Sequence, residues 1–136
     1  MYLSVITHPD EKNKDKYEIA RAIYAETGAV SLRLTEAMAS MISNAAKKCG
    51  KSEIDIVRNQ KIFRARYVSS SRHSGWYVNS DYEKFQMCLR VTQKMLNGTL
   101  GDLCCGATRF HHDDELPDWA TSLGYVADID GILFYL

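Results

Sequence analysis

The 136-residue sequence has no excess of either charge: 17 Lys and Arg stand against 17 Asp and Glu. A nucleic-acid surface needs a basic excess on one face, so no nucleic-acid partner is expected. The same balance gives no long-range pull toward an anionic polymer. No apolar run approaches the roughly 20 residues of a membrane span, and no span is expected. The first residues, MYLSVITHPDEKNKDKY, lack the basic start and the apolar stretch of a secretory signal. The expectation is synthesis in the cytoplasm without a signal peptide, followed by delivery along another route. The four cysteines, Cys49, Cys88, Cys104 and Cys105, include no C-x-x-C pair. That argues against a zinc knuckle or a thioredoxin-like motif. A Cys49–Cys88 bridge is compatible with the sequence, and Cys104-Cys105 reads as packing, or as one buried and one exposed thiol.

Repeats and low-complexity segments are also absent. What is present is the balance of a globular chain, 46% apolar and 25% charged. The length suits one domain, spanning residues 1–136, with one core. After a polar lead-in, a helix fits about 15–27, with Ile19, Ala22, Ile23 and Glu26 on one face and Gly28 as the stop. A second fits 31–48, with a stripe of Leu34, Ala37, Met38, Met41, Ile42 and Ala45; Lys47 and Lys48 suit its end. Ser52 is the expected N-cap of a short helix carrying Ile54 and Val57. Residues 60–79 read as irregular, aromatic and basic. Ser80-x-x-Glu83 has the form of a capping box opening a helix that runs to Leu96 and closes at Gly98. Asp130-Gly131 between two apolar runs is a two-residue hairpin signal. Helices first and a small β element last make the expected class α+β, mainly α.

Glu26 stands out because a carboxylate continues an apolar stripe and lies near a helix C-terminus. Burial and the helix dipole both favour a carboxyl that keeps its proton, which is what a general acid needs. The alternative is a surface carboxylate at a fraying helix end.

The residues around it carry a resemblance. Ala20-Arg21-Ala22-Ile23-Tyr24-Ala25-Glu26, followed eighteen positions later by Asn44, resembles the A-R-x-x-Y-x-E and V-I-L-N-R-V segments of the SleB/CwlJ type of spore-cortex-lytic and cell-wall hydrolases. Ser52 and Phe63 fall where that family has a Thr or Ser and a Phe. Gly106-Ala107-Thr108-Arg109-Phe110-His111, then Pro117-Asp118-Trp119-Ala120, then Ile129, Gly131, Phe134 and Tyr135, looks like its G-A-T-x-F-H, P-x-W-A and I-G-x-H-x-F-Y series. The resemblance spans residues 17–136. Ala45 replaces the family's Arg, and Asp130-Gly131-Ile132-Leu133 has no His where the family has one; both differences bear on the groove more than on the acid.

The resemblance implies a lysozyme-like fold with a small antiparallel β element near the C-terminus. Glu26 maps onto the family's catalytic Glu, and the implied activity is cleavage of the peptidoglycan glycan strand between N-acetylmuramic acid and N-acetylglucosamine, as a lytic transglycosylase. A lytic transglycosylase works with one carboxylate, which fits a sequence with one inward acid and no obvious partner for it. The residues expected to bind the sugar are Tyr24, Ser52, Phe63, Tyr67, Thr108, Phe110, His111 and Tyr135, with core packing an equal reading for Tyr24 and Phe110. Asn44 is expected to hold backbone. Two other functions stay open. His111-His112-Asp113-Asp114-Glu115 contains zinc-ligand types, as in an N-acetylmuramoyl-L-alanine amidase, but adjacent residues seldom face one ion and the run also reads as a solvated loop. The third is a non-catalytic glycan-binding module of the same fold. The expectation is no metal, no cofactor, a monomer, and action at the cell wall as a phage lysin or by an export route.

Overall fold

A computed structural model describes residues 15–59, 61–63, 78–121 and 123–136. It is α+β and mainly helical, with helices α1 (Asp15–Thr27), α2 (Leu32–Cys49), α3 (Glu53–Val57) and α4 (Glu83–Leu96). Three strands follow, β1 (Arg109–His112), β2 (Tyr125–Ile129) and β3 (Ile132–Tyr135). They form one antiparallel sheet in the order β1-β3-β2. Among the described residues no helix is long and apolar enough to cross a membrane.

The apolar stripes foreseen in the sequence make the core. Ile19, Ala22 and Ile23 of α1 meet Leu34, Met38, Met41 and Ile42 of α2, and Phe85, Cys88, Leu89 and Met95 of α4 close the cluster. α1 packs on α4, α2 and α3, and α2 packs on α3 and α4. A bidentate pair, Arg58 Nε and Nη2 to the Glu18 carboxylate at 2.9 and 2.8 Å, joins the end of α3 to α1.

The turn between α1 and α2 is built from local polar contacts. Gly28 donates its N–H to the Tyr24 carbonyl, and the Thr27 hydroxyl takes the Ala29 N–H at 3.1 Å. Ser31 then caps α2 by accepting the Leu34 N–H at 3.0 Å. The same hydroxyl donates to Asp130 Oδ2 at 2.6 Å, tying the hairpin tip to the start of α2.

The Asp130-Gly131 hairpin forms as expected. Both residues have positive φ, 50° and 85°, as a type I′ turn requires. The φ of 85° at Gly131 favours glycine, and a Cβ there would lie 3.0 Å from Asp113 Oδ2, so the exposed Asp113 side chain would have to shift slightly to admit one.

One expectation is corrected. Helix α4 starts at Glu83 with Tyr82 as its N-cap and no side-chain cap, so Ser80 and Glu83 do not form a capping box. Asn79 takes over the local turn: its Oδ1 accepts the Asp81 N–H and its carbonyl accepts the Tyr82 N–H. Ser80 is turned into the core, where its hydroxyl has no hydrogen-bond partner among the described residues, while its carbonyl accepts from Gln86 Nε2. The expected small β element is present and extends beyond the hairpin, because β1 pairs with β3 and gives the sheet a third strand.

The Ser31→Ala variant removes both the cap and the link to Asp130. It should lose about 1–2 kcal/mol of stability, read as a lower urea midpoint with an unchanged slope.

Candidate functional site

The sheet sorts its side chains onto two faces. The register pairs Phe110 with Phe134 and His112 with Ile132, and these join Ile129 on the face that packs against the helices. Arg109 pairs with Tyr135, and His111 with Leu133, on the opposite face. Adjacent strand residues point to opposite sides, so the two neighbouring histidines part company.

His112 takes the helix side and meets Glu26. Its Nε2 lies 2.7 Å from Glu26 Oε1, linking residues 86 positions apart. The pair is almost closed off, with Glu26 4% and His112 8% exposed. One proton lies between Nε2 and Oε1, on the ring or on the carboxyl. The inward orientation foreseen for Glu26 is what the helix produces: its 3.6-residue period carries Ile19, Ala22, Ile23 and Glu26 to one buried face. Further up α1, Arg21 is also buried; its guanidinium lies 4.7 Å over the Phe85 ring and Nη1 donates to the Val78 carbonyl at 2.8 Å.

His112 is itself held on several sides. Its N–H donates to Glu115 Oε1 at 3.0 Å, and its carbonyl accepts the Glu115 N–H at 3.0 Å. The same carbonyl accepts from His111 Nδ1 at 2.7 Å. Phe110 meets its ring edge-on at 6.0 Å, and Phe63 backs Phe110 at 5.4 Å.

The strand that carries His112 is anchored to α2 through the preceding loop. Ser40 Oγ donates to the Gly101 carbonyl at 2.9 Å and accepts the Leu103 N–H at 3.1 Å. Asn44, one turn further on, donates to the Ala107 carbonyl at 3.1 Å and to Asp102 Oδ1 at 3.3 Å. Asn44 therefore holds backbone, as expected. Partial burial pushes the Asp102 carboxyl up, but the N–H groups of Gly106 and Cys104, with Asn44 and the Cys104 thiol, more than offset it. Its pKa ends below the ordinary value.

The other expected residues fall in several places. Tyr24 is half-buried on α1, edge-on to Tyr82 and Phe85 at 6.4 Å each; burial, then Tyr82 and Cys88, raises its phenol pKa. Thr108 is half-buried just before β1 and donates its N–H to the Tyr135 carbonyl. Phe63 and Phe110 are packed behind His112. Ser52 caps α3 through the Asp55 N–H, and it lines a surface cavity of about 620 Å³ that no other expected residue among the described ones reaches.

His111 and Tyr135 lie on the far face of the sheet. Their rings stack at 5.2 Å, and in the neutral ring Nδ1–H donates to the His112 carbonyl, so Nε2 accepts the Tyr135 hydroxyl at 3.1 Å. Trp119 meets both rings edge-on, under the Arg109 guanidinium. Tyr67, together with Arg72, His73 and Trp76, lies outside the described residues.

Sequence reasoning weighed His112 only within the possible zinc run and missed it as the partner of Glu26. Among the described residues no three His, Cys, Asp or Glu side chains are grouped to hold a metal ion. The cysteines are free, Cys88 and Cys104 buried and Cys49 and Cys105 exposed. Burial pushes the Cys88 and Cys104 thiols up to about 12.

Comparison of the chain with protein-family models, with curated proteins and with solved structures finds no match.

Two outcomes follow from this geometry. Titration of the native protein with a thiol reagent should modify Cys49 and Cys105 rapidly, with Cys88 and Cys104 reacting only on unfolding. The depressed Asp102 pKa adds stability that is complete above its unfolded value, about 3.9, and is lost as pH falls through the lower folded value. Asp102→Asn should therefore flatten part of the acid limb of a stability–pH curve while lowering stability at neutral pH.

Proposed function

We propose that this chain is a peptidoglycan hydrolase of the SleB/CwlJ type with a lysozyme-like arrangement, acting at the cell wall. Glu26 is its catalytic acid, and the bond it cleaves joins N-acetylmuramic acid to N-acetylglucosamine. The observation that carries the reading is Glu26 itself: a carboxyl at the end of α1, turned from solvent toward the sheet and engaged at Oε1 by an imidazole. Buried acids poised against a titratable partner are the groups that catalysis requires and that packing alone disfavours.

The chemistry needs one carboxyl. Glu26 gives its proton to the glycosidic oxygen as the bond from that oxygen to the muramic acid C1 breaks. The 2-acetamido oxygen stabilises the positive charge that develops at C1. Glu26, now a carboxylate, takes the proton of the muramic acid 6-hydroxyl as O6 bonds to C1. A 1,6-anhydro ring closes, the acid is restored, and no water is consumed.

Tyr24, half-buried two residues before the acid, offers a flat face and a polar tip to a sugar. Thr108, half-buried at the mouth of β1, adds a hydroxyl. Phe63 and Phe110 serve the site from behind.

Glu26→Gln should fold normally by circular dichroism and lose about 10²- to 10⁴-fold in the rate of release of soluble glycan from purified peptidoglycan. Mass spectrometry of the wild-type digest should show anhydromuramic ends. Reducing ends would instead mark a muramidase, free stem peptides an amidase, and binding without products a glycan-binding module. Full lytic activity in Glu26→Gln would overturn the assignment of the acid.

A further inference from the structure

We propose that His112 is the positioning residue of Glu26: its ring anchors Oε1 and sets the plane in which the carboxyl presents its proton to the substrate. The proposal rests on Glu26 being the acid, and adds a second residue to the same site.

The geometry argues for orientation rather than filling. A carboxyl on a helix end rotates about three side-chain bonds, and a rate that depends on proton transfer suffers when its oxygen strays by about 1 Å. The hydrogen bond at 2.7 Å restricts that freedom only if its partner is fixed. His112 meets that condition. Glu115 engages its amide N–H and its carbonyl, His111 holds the same carbonyl, and Phe110 stands against the ring edge. The imidazole is thus aimed by the backbone of β1, and Glu26 is aimed by the imidazole. Among the described residues, the titratable groups meeting His112 are Glu26 from α1, Glu115 from the turn after β1 and His111 from its own strand; Phe110 and Phe63 supply apolar surface. Supporting contacts that lock a catalytic side chain are what a functional site requires of its surroundings.

The test uses His112→Ala and His112→Gln on purified peptidoglycan, with kcat and KM measured separately. His112→Ala should lower kcat about 10- to 100-fold with KM little changed. His112→Gln, which keeps an N–H donor of similar reach, should recover part of that loss. A wild-type kcat in His112→Ala overturns the proposal, and leaves the Glu26 reading intact if Glu26→Gln remains inactive. Activity in Glu26→Gln overturns the Glu26 reading and this proposal with it. A second measurement stands apart from activity and from the folding of the His112 variants. In protein labelled with ¹⁵N-histidine, the His112 Nε2 proton should be visible and slow to exchange, and Glu26→Leu should abolish that signal. The same signal in both proteins would overturn the proposal.

Discussion

A carboxyl and an imidazole buried against each other set a constraint that the rest of the molecule serves. Either group alone, taken out of water without a partner, would cost several kcal/mol. Together, at 2.7 Å, each satisfies the other, provided that the end of α1 and the end of β1 are held at the right separation. Much of the remaining architecture supplies that separation. The α1 stripe seats the helix against α2 and α4, and the loop stitched to Ser40 and Asn44 delivers β1.

That stitching places an unusual demand on α2. Its apolar face fills the core, while Ser40 and Asn44, one turn apart, form a polar ledge on a neighbouring face. The ledge bonds to a loop some sixty residues further along the chain. A helix that packs with one face and holds backbone with the next acts as a rigid ruler between core and sheet. The αL pair Cys105 and Gly106, at φ 57° and 81°, turns that loop so that its amides meet the Asp102 carboxylate. The loop closes on itself before it enters the strand.

How much of this was legible in the sequence depends on the range of the interactions involved. Helical periods are local, so the α1 and α2 stripes and the inward turn of Glu26 were readable from spacing alone. The Asp130-Gly131 turn was readable because two consecutive left-handed residues leave few choices. Ser80 was misread because a capping box is a pattern of residue types, and Asn79 one position earlier offered a competing turn. β1 was missed because Arg-Phe-His-His has no alternation of apolar and polar residues, and its register partners on β3 lie 20 to 26 positions away. The two histidines show the limit most clearly. Alternation says that one of them faces inward, but which one is settled by pairing across the sheet, and no local signal carries that information. The resemblance pointed to His111, and the fold brings His112 to the acid.

Phe110 therefore has a second significance. If β1 slid by one residue against β3, His111 would turn toward the helices and His112 away from them, so an imidazole would still face Glu26. The slip would also drive Arg109 into the place of Phe110, among Phe63 and Phe134, and would leave a phenyl ring beside the aromatic stack of Trp119 and Tyr135. The adjacent histidines make the site tolerant of such an error in its chemistry. The arginine and phenylalanine before them forbid it in the core. Specificity between two nearly equivalent histidines is thus enforced by a pair of residues that take no part in the chemistry, and insertions near β1 should survive only in steps that preserve its phase.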